Sequence, residues 1–172
     1  MSHTYTLKNI KIAEFASEET WCFEASLYED GKRVALADNI GQGGPNSYSF
    51  VDPADEARLG AYLHDWAYDQ YVESMKTWAP DRTVSAREDY EDNGEHIDSL
   101  VNELLSQYDL IKQAKSFASS TAKKHNIDKA RIHVFLLPED KLSLGVEGDA
   151  TYDKLVADPT AVEIAKNPTL TI

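Results

Sequence analysis

The stretch "TWCFEASLYEDGKRVALADNI", residues 20–40, decides the fold class. Alternate residues of its first half are apolar, which is the period of a β-strand with one buried face: Trp21, Phe23, Ala25 and Leu27. Asp30 and Gly31 then form the Asp-Gly pair that is typical of a tight hairpin turn. Val34 and Leu36 continue the apolar alternation beyond the turn. The stretch therefore predicts an antiparallel β-hairpin.

The residues on either side of this hairpin predict further strands. "YTLKNIKIAEF", residues 5–15, alternates around a one-residue slip at Asn9, which is typical of a strand with a β-bulge. "SYSFVD", residues 47–52, alternates again. Residues 1–51 are therefore predicted to form a β meander. Cys22, the single cysteine, lies inside an apolar run and is predicted to be a buried thiol rather than a nucleophile.

Two amphipathic helices joined by an acidic loop are predicted in residues 52–124. Asp52 suits the N-cap and Pro53 the first helical position, and apolar residues then recur at helical spacing to about Lys76. A second helical pattern begins near Ile97 and ends at about Lys124. The residues between the two patterns are dense in charge and poor in apolar side chains, so we expect a loop there.

Residues 125–172 predict one strand and an irregular segment. The strand is "RIHVFLLP", residues 131–138, a short apolar run ended by proline. A short helix is expected near residues 152–156 and a final strand at residues 170–172. The predicted fold is α+β, in which the N-terminal meander and a later strand form an antiparallel sheet with two helices packed on one face. The chain length favours a single domain, residues 1–172.

The composition is that of an ordinary globular protein. Of the 172 residues, 42% are hydrophobic and 27% are charged. The first residues lack the apolar run of a signal peptide, and no stretch approaches the roughly 20 apolar residues of a membrane span. We therefore expect a cytoplasmic protein with no membrane partner.

The net charge of −13 is concentrated in the middle of the chain. Residues 52–109 contain 4 basic and 15 acidic residues, whereas residues 110–172 contain 9 basic and 8 acidic residues. Nucleic-acid binding depends on Lys and Arg, so this distribution argues against direct contact with nucleic acid. It favours a protein partner with a basic surface.

The acidic residues of this region are the predicted partner-binding site. Three of them recur at every fourth position on the first helix and so stack on one side of it. The set is Asp65, Asp69, Glu73, Glu88, Asp89, Glu91, Asp92 and Glu95. The alternative is a solvated face that serves only solubility, but the excess of acids is larger than solubility requires.

A glycine-rich loop, "DNIGQGGPNSY" at residues 38–48, raises the question of a phosphate site. It lacks the third glycine of the dinucleotide fingerprint and the Gly-Lys-Ser/Thr of a P-loop. The simplest interpretation is a turn between two strands, in which the glycines supply positive φ angles. The alternative is a small-ligand or nucleotide site that uses exposed backbone amides of Gly41, Gln42, Gly43 and Gly44.

No metal, cofactor or catalytic group is predicted. Asp89, Glu91, Asn93 and Gly94 match the start of a calcium loop, but its last ligand position is Leu100, so we expect no specific calcium site. The five histidines have no metal-ligand spacing, and no nucleophile can be paired with a base. A non-enzymatic protein is therefore favoured, and an enzyme is left open.

The first 50 residues carry a resemblance to a group of small proteins. "SEETWCFEASLYEDGKRVA", residues 17–35, and "NIGQGGPNSYSF", residues 39–50, resemble uncharacterised accessory proteins encoded by bacteriophages and other mobile elements. The shared features are structural, namely a strand, an Asp-Gly-Lys turn and a Gly-x-Gly-Gly loop. The resemblance implies action inside a bacterial host and implies no catalytic residue.

Together these features give a functional hypothesis. The protein is expected to bind and inhibit a host protein through its acidic surface, and a defence complex or another nucleic-acid-binding complex is the favoured class of target. A row of carboxylates carries the same sign of charge as a nucleic-acid backbone and can occupy a groove built for phosphates. The alternative function is ligand binding at the glycine loop.

Overall fold

The computed structural model describes residues 2–80, 82–84, 86, 96–138, 141–164 and 169–171. It has the α+β fold that the sequence predicts. The chain packs as two compact units, Met1–Leu105 with Thr169–Ile172, and Ser106–Pro168. The single domain expected from the chain length stays a prediction.

The first unit contains a five-stranded antiparallel sheet. Its strands are β1 (Thr4–Ile12), β2 (Cys22–Glu29), β3 (Lys32–Ile40), β4 (Ser47–Phe50) and β8 (Thr169–Thr171). Their spatial order is β4-β3-β2-β1-β8. The predicted meander is confirmed, and the predicted final strand joins the same sheet by pairing with β1.

Two local backbone features of the sheet agree with the sequence. Asp30 and Gly31 both have positive φ, +48° and +81°, which is the geometry of a tight turn between β2 and β3. Asn9 has a φ of +55°, and the register of β1 against β2 shifts between Lys8 and Lys11. The predicted hairpin and the predicted bulge are therefore confirmed.

Helix α1 (Pro53–Trp78) and the beginning of helix α2 (His96–His125) pack on one face of the sheet, which we call the inner face. The first unit includes α2 only as far as Leu105, and the rest of α2 belongs to the second unit. Asp52 caps α1 by accepting a hydrogen bond from Ala54 N, as its sequence position predicts. The core between helices and sheet consists of fully or almost fully buried apolar side chains, among them Leu7, Phe23, Leu27, Leu59, Leu63, Leu100 and Leu104.

Leu36 does not follow the alternation predicted for the hairpin. The register between β2 and β3 shifts near Leu27 and Tyr28, and Val34 and Ala35 are both buried in consequence. The shift turns Leu36 to the opposite face of the sheet, the outer face, where 46% of it is exposed. Cys22 is also only half-buried, so the prediction of a buried thiol is wrong.

The second unit contains a smaller antiparallel sheet. Its strands are β5 (Ile132–Leu137), β6 (Lys141–Val146) and β7 (Val162–Glu163), in the order β6-β5-β7. Helix α3 (Ala150–Ala157) lies where the sequence predicts a short helix. Strand β5 is the predicted apolar strand, whereas β6 and β7 fall in the segment that was expected to be irregular.

Candidate functional site

The glycine loop joins β3 to β4 and is organised around the side chain of Asn39. Asn39 is buried, and its Oδ1 accepts hydrogen bonds from Gly41 N at 2.8 Å and Thr20 Oγ1 at 2.9 Å. Its Nδ2 lies 3.3 Å from Gly44 O and 3.1 Å from Asn46 Oδ1. The side-chain amide of Asn39 thus accepts hydrogen bonds through its oxygen and donates them to the loop through its nitrogen, and these bonds fix the loop conformation.

The glycines of this loop have the backbone geometry of a turn. Gly41, Gly43 and Gly44 have φ values of +86°, +83° and +87°, a region that favours glycine. Gly43 N donates a hydrogen bond to Thr20 Oγ1 at 3.3 Å. A Cβ placed on Gly43 would lie 2.6 Å from Glu19 Oε2, so a carboxylate lies against the loop. Gln42 is exposed.

This arrangement is unfavourable for an anion. The amides of Gly41 and Gly43 already donate within the protein, whereas a phosphate-binding loop directs such amides at its ligand. The nearby carboxylate of Glu19 would repel a phosphate. The positive φ angles are accounted for by the turn itself.

A hydrogen-bond network connects the loop to the first turns of α2. Asp98 accepts a hydrogen bond from Asn46 N at 2.9 Å and one from the Tyr48 hydroxyl at 2.6 Å. Burial, followed by the bond to Asp98, raises the pKa of Tyr48 well above its ordinary value. The contact could not be predicted from the sequence, because Tyr48 and Asp98 lie far apart in the chain. Its role is to hold the loop against α2.

The acidic residues predicted on α1 form an exposed stripe, which we call the α1 stripe: Asp65, Asp69 and Glu73. The side chains of Asp65 and Glu73 are 69% and 68% exposed, and Asp69 is also exposed. Lys76 forms an ion pair with Glu73. The other predicted members, Glu88, Asp89, Glu91, Asp92 and Glu95, lie outside the described residues, as does the start of the tested calcium loop.

A second polar cluster, which no sequence pattern predicts, joins α1 to the sheet. Arg58 donates two hydrogen bonds to the Glu29 carboxylate, at 2.9 and 2.6 Å, and the Tyr5 hydroxyl donates a third at 2.9 Å. Arg58 also contacts Asp55 Oδ1 at 3.0 Å. The Glu29 side chain is only 10% exposed. The cluster therefore fixes the beginning of α1 against β1 and β2.

The charges of this cluster shift its pKa values. Burial raises the pKa of Glu29, but hydrogen bonds from Arg58 and Tyr5 outweigh that effect and lower it below the ordinary value. Burial and the bond to Glu29 raise the pKa of Tyr5. The pair is therefore an ionised carboxylate and a neutral phenol, which is a structural arrangement.

The histidines come closer in space than their sequence spacing suggests. The rings of His64 on α1 and His96 on α2 are 5.2 Å apart between centroids, and burial, followed by the charge of His64, lowers the pKa of His96. In the second unit His133 Nδ1 lies 2.7 Å from Glu163 Oε1. Within the described ranges, no group of three or more His, Cys, Asp or Glu residues could hold a metal ion.

Comparisons with other proteins leave the geometry as the basis for function. In the part of the chain that the structure describes, no helix has the length and apolar character needed to cross a membrane. The resemblance of the first 50 residues to phage-encoded accessory proteins stays a prediction. Searches of protein-family models, curated proteins and solved structures find nothing that matches this chain.

Proposed function

We propose that this protein binds a basic host protein through the α1 stripe and inhibits it, as an accessory protein of a phage or another mobile element. The observation that carries the proposal is the common exposure of Asp65, Asp69 and Glu73 on one helix. Their i, i+4 spacing places successive carboxylates about 6 Å apart along the helix axis.

The packing of α1 supports this role. Leu59 and Leu63 are fully buried in the core of the first unit, so α1 is held in place by its apolar side. The acidic side is presented on a long helix that is capped by Asp52 and tied to the sheet by Arg58. A rigid row of charge loses little conformational entropy on binding, which favours complex formation.

The sign of the charge defines the class of partner. The chain carries a net charge of −13, and residues 52–109 contribute −11 of it. Such a field repels nucleic acid and attracts proteins whose surfaces are rich in Lys and Arg. A host protein that binds nucleic acid has a surface of this kind, and occupation of that surface by the stripe would exclude the nucleic acid.

Nucleotide binding at the glycine loop is not proposed as a second function. The amides of Gly41 and Gly43 donate to Asn39 and Thr20, and Glu19 lies beside the loop. The loop geometry supports a structural turn.

The test begins with affinity purification of tagged protein from bacterial lysate at low and at high salt, followed by mass spectrometry. Salt shortens the Debye length from about 10 Å at 0.1 M to about 3 Å at 1 M, so a complex that depends on the stripe should form only at low salt. The affinity of the identified partner is then measured for the wild type and a variant with Asp65→Lys, Asp69→Lys and Glu73→Lys.

A matched control changes the same amount of charge elsewhere. Glu18, Glu147 and Asp153 are exposed acidic residues outside α1, and their replacement by lysine alters the net charge equally. The proposal predicts that the partner binds the control variant and not the stripe variant. Equal loss in both variants would assign the effect to net charge alone, and unchanged binding to the stripe variant would remove α1 from the interface.

A further inference from the structure

The outer face of the first-unit sheet carries side chains in ordered rows. In one row Lys11 lies opposite Glu24, Glu24 opposite Asp38, and Asp38 opposite Ser47. In the neighbouring row Ser26 lies opposite Leu36, and Leu36 opposite Ser49. The rows border a hollow of about 860 Å³ on the surface, which we call the outer trough.

The apolar side chains of the trough are accessible. Leu36 and Ile40 are 46% and 68% exposed, and both line the hollow. They point outward because the register shift in the hairpin turns Leu36 away from the core. Ala13 also lines the trough, and Phe15, two residues further on, is 93% exposed. Exposed apolar residues grouped around a hollow are typical of protein-binding surfaces.

The charges of the trough are incompletely compensated. Lys11 Nζ lies 3.0 Å from Glu24 Oε2, so Glu24 has a cation beside it. Asp38 lies directly opposite Glu24 on the next strand, and like charges at such positions repel each other. Within the described part of the chain, the Asp38 carboxylate has no ion pair and no hydrogen bond. A cation at Asp38 would relieve the repulsion.

The outward residues of β3 therefore form an apolar–acidic–apolar series: Leu36, Asp38 and Ile40. Successive members are two residues apart on a strand, which is roughly 6.8 Å. We propose that the outer trough binds a short segment of a partner protein in which a lysine or arginine is flanked by apolar side chains. The cation meets Asp38, and the apolar side chains cover Leu36 and Ile40.

Other occupants fit this chemistry less well. A second copy in a symmetric dimer would bring a row with two carboxylates, Glu24 and Asp38, against a row whose single cation, Lys11, is already paired with Glu24. A small molecule is usually buried by 70–90% in its site, whereas the apolar side chains of this trough, Leu36 and Ile40, remain open to solvent. The carboxylates of Glu24 and Asp38 would repel a nucleic acid. A basic, apolar protein segment satisfies both the charge and the exposed apolar area.

This inference does not rest on the α1 stripe. Helix α1 packs on the inner face of the sheet, so the stripe and the trough belong to opposite sides of the first unit. Variants of one surface can therefore be used as controls for the other.

The experiment selects peptides from a yeast-displayed library of random 12-residue sequences, with the full chain as bait. The counter-bait carries Leu36→Ser, Asp38→Asn and Ile40→Ser. We expect enriched peptides with Lys or Arg between apolar residues. Their affinity should fall by about tenfold or more on the counter-bait, since loss of interface anchors and a charge partner typically exceeds 1.4 kcal/mol. A variant of the α1 stripe, with Asp65→Asn, Asp69→Asn and Glu73→Gln, should bind the enriched peptides with the affinity of the wild type.

Several outcomes would overturn the inference. These are peptides that bind wild type and counter-bait equally, enrichment of acidic sequences, or no enrichment at all. A wild-type dimer in light scattering that the counter-bait loses would assign the trough to self-association instead. Should the triple substitution unfold the chain in circular dichroism, the single exposed change Asp38→Lys serves the same purpose, because it must abolish binding of basic peptides.

Discussion

Replacement of Arg58 by alanine tests whether the buried ion pair with Glu29 holds α1 on the sheet. The substitution removes both cationic hydrogen bonds to Glu29 and leaves that carboxylate, 10% exposed, with the hydrogen bond from the Tyr5 hydroxyl and with His3 Nδ1 at 3.8 Å. Removal of one partner from a buried ion pair costs roughly 3–5 kcal/mol. Because the Arg58 side chain is 44% exposed, solvent screens part of the interaction with Glu29. We therefore expect Arg58→Ala to lower the free energy of unfolding by about 2–3 kcal/mol at pH 7.

The pH dependence of this loss gives a second, independent check. The folded state lowers the pKa of Glu29, so its contribution is fully present above the unfolded value of about 4.3 and is lost as the pH falls through the lower folded value. Without Arg58, the hydrogen bonds and positive charge that lower the pKa of Glu29 are lost, so burial raises this pKa. The difference in unfolding free energy between wild type and variant should therefore shrink as the pH falls through the raised pKa of Glu29 in the variant and on towards its lowered pKa in the wild type, because the pKa of the unfolded chain is common to both.

Urea denaturation followed by circular dichroism and tryptophan fluorescence measures both effects. Lys11→Ala is the matched control, because the Lys11–Glu24 pair has side chains that are 77% and 70% exposed. Exposed pairs contribute about 0.2–1 kcal/mol, and their loss should be small at every pH. The reasoning is refuted if Arg58→Ala costs no more than Lys11→Ala, or if its cost is the same at pH 7 and pH 3.5.

Three further predictions concern other contacts in the first unit. Gly41→Ala should lower the melting temperature more than Gly44→Ala. Both positions have positive φ, which costs an alanine about 1–2 kcal/mol, but of the two only a Cβ on Gly41 would clash with a backbone oxygen, that of Ala16. Equal shifts in melting temperature would contradict this. Asn39→Asp should lower the free energy of unfolding, measured by urea titration, by about 2–3 kcal/mol, because a carboxylate replaces the amide that donates to the loop. An unchanged urea midpoint would show that Asn39 does not hold the loop in place. The free energy of unfolding should fall as the pH drops below about 6.5, because the folded state lowers the pKa of His96 and protonation therefore favours the unfolded chain. In thermal melts, His96→Gln should reduce this dependence of stability on pH. The same pH dependence in wild type and variant would contradict the prediction.

The local features of the first unit could be predicted because they are written in short stretches of sequence. The Asp-Gly turn and the Asp52–Pro53 helix start each depend on neighbouring residues, and the structure confirms both. The orientation of Leu36 could not be predicted, because a bulge shifts the alternation and depends on how β2 pairs with β3. Strand β6 could not be predicted from the sequence, because its apolar run is short and is interrupted by Ser143 and Gly145.

The candidate sites divide in the same way. The α1 stripe follows from helical spacing alone, so Asp65, Asp69 and Glu73 could be placed together from the sequence. The pairing of Arg58 with Glu29 joins a helix to a strand across the core, and no short-range pattern indicates it. The outer trough depends on a register that becomes visible only when the strands are paired.

The pairing of β8 with β1 has a consequence for how the chain is made. Thr4 lies opposite Thr171, so the two strands can meet only after Thr171 has been synthesised and has left the ribosome. Closure of so long a loop is among the most costly in chain entropy, and such contacts form late in folding. Until then the outer edge of β1 presents unpaired backbone groups to neighbouring chains. The nascent protein is therefore most prone to aggregation while the second unit is being synthesised, and faster synthesis of the residues up to β8 shortens that period.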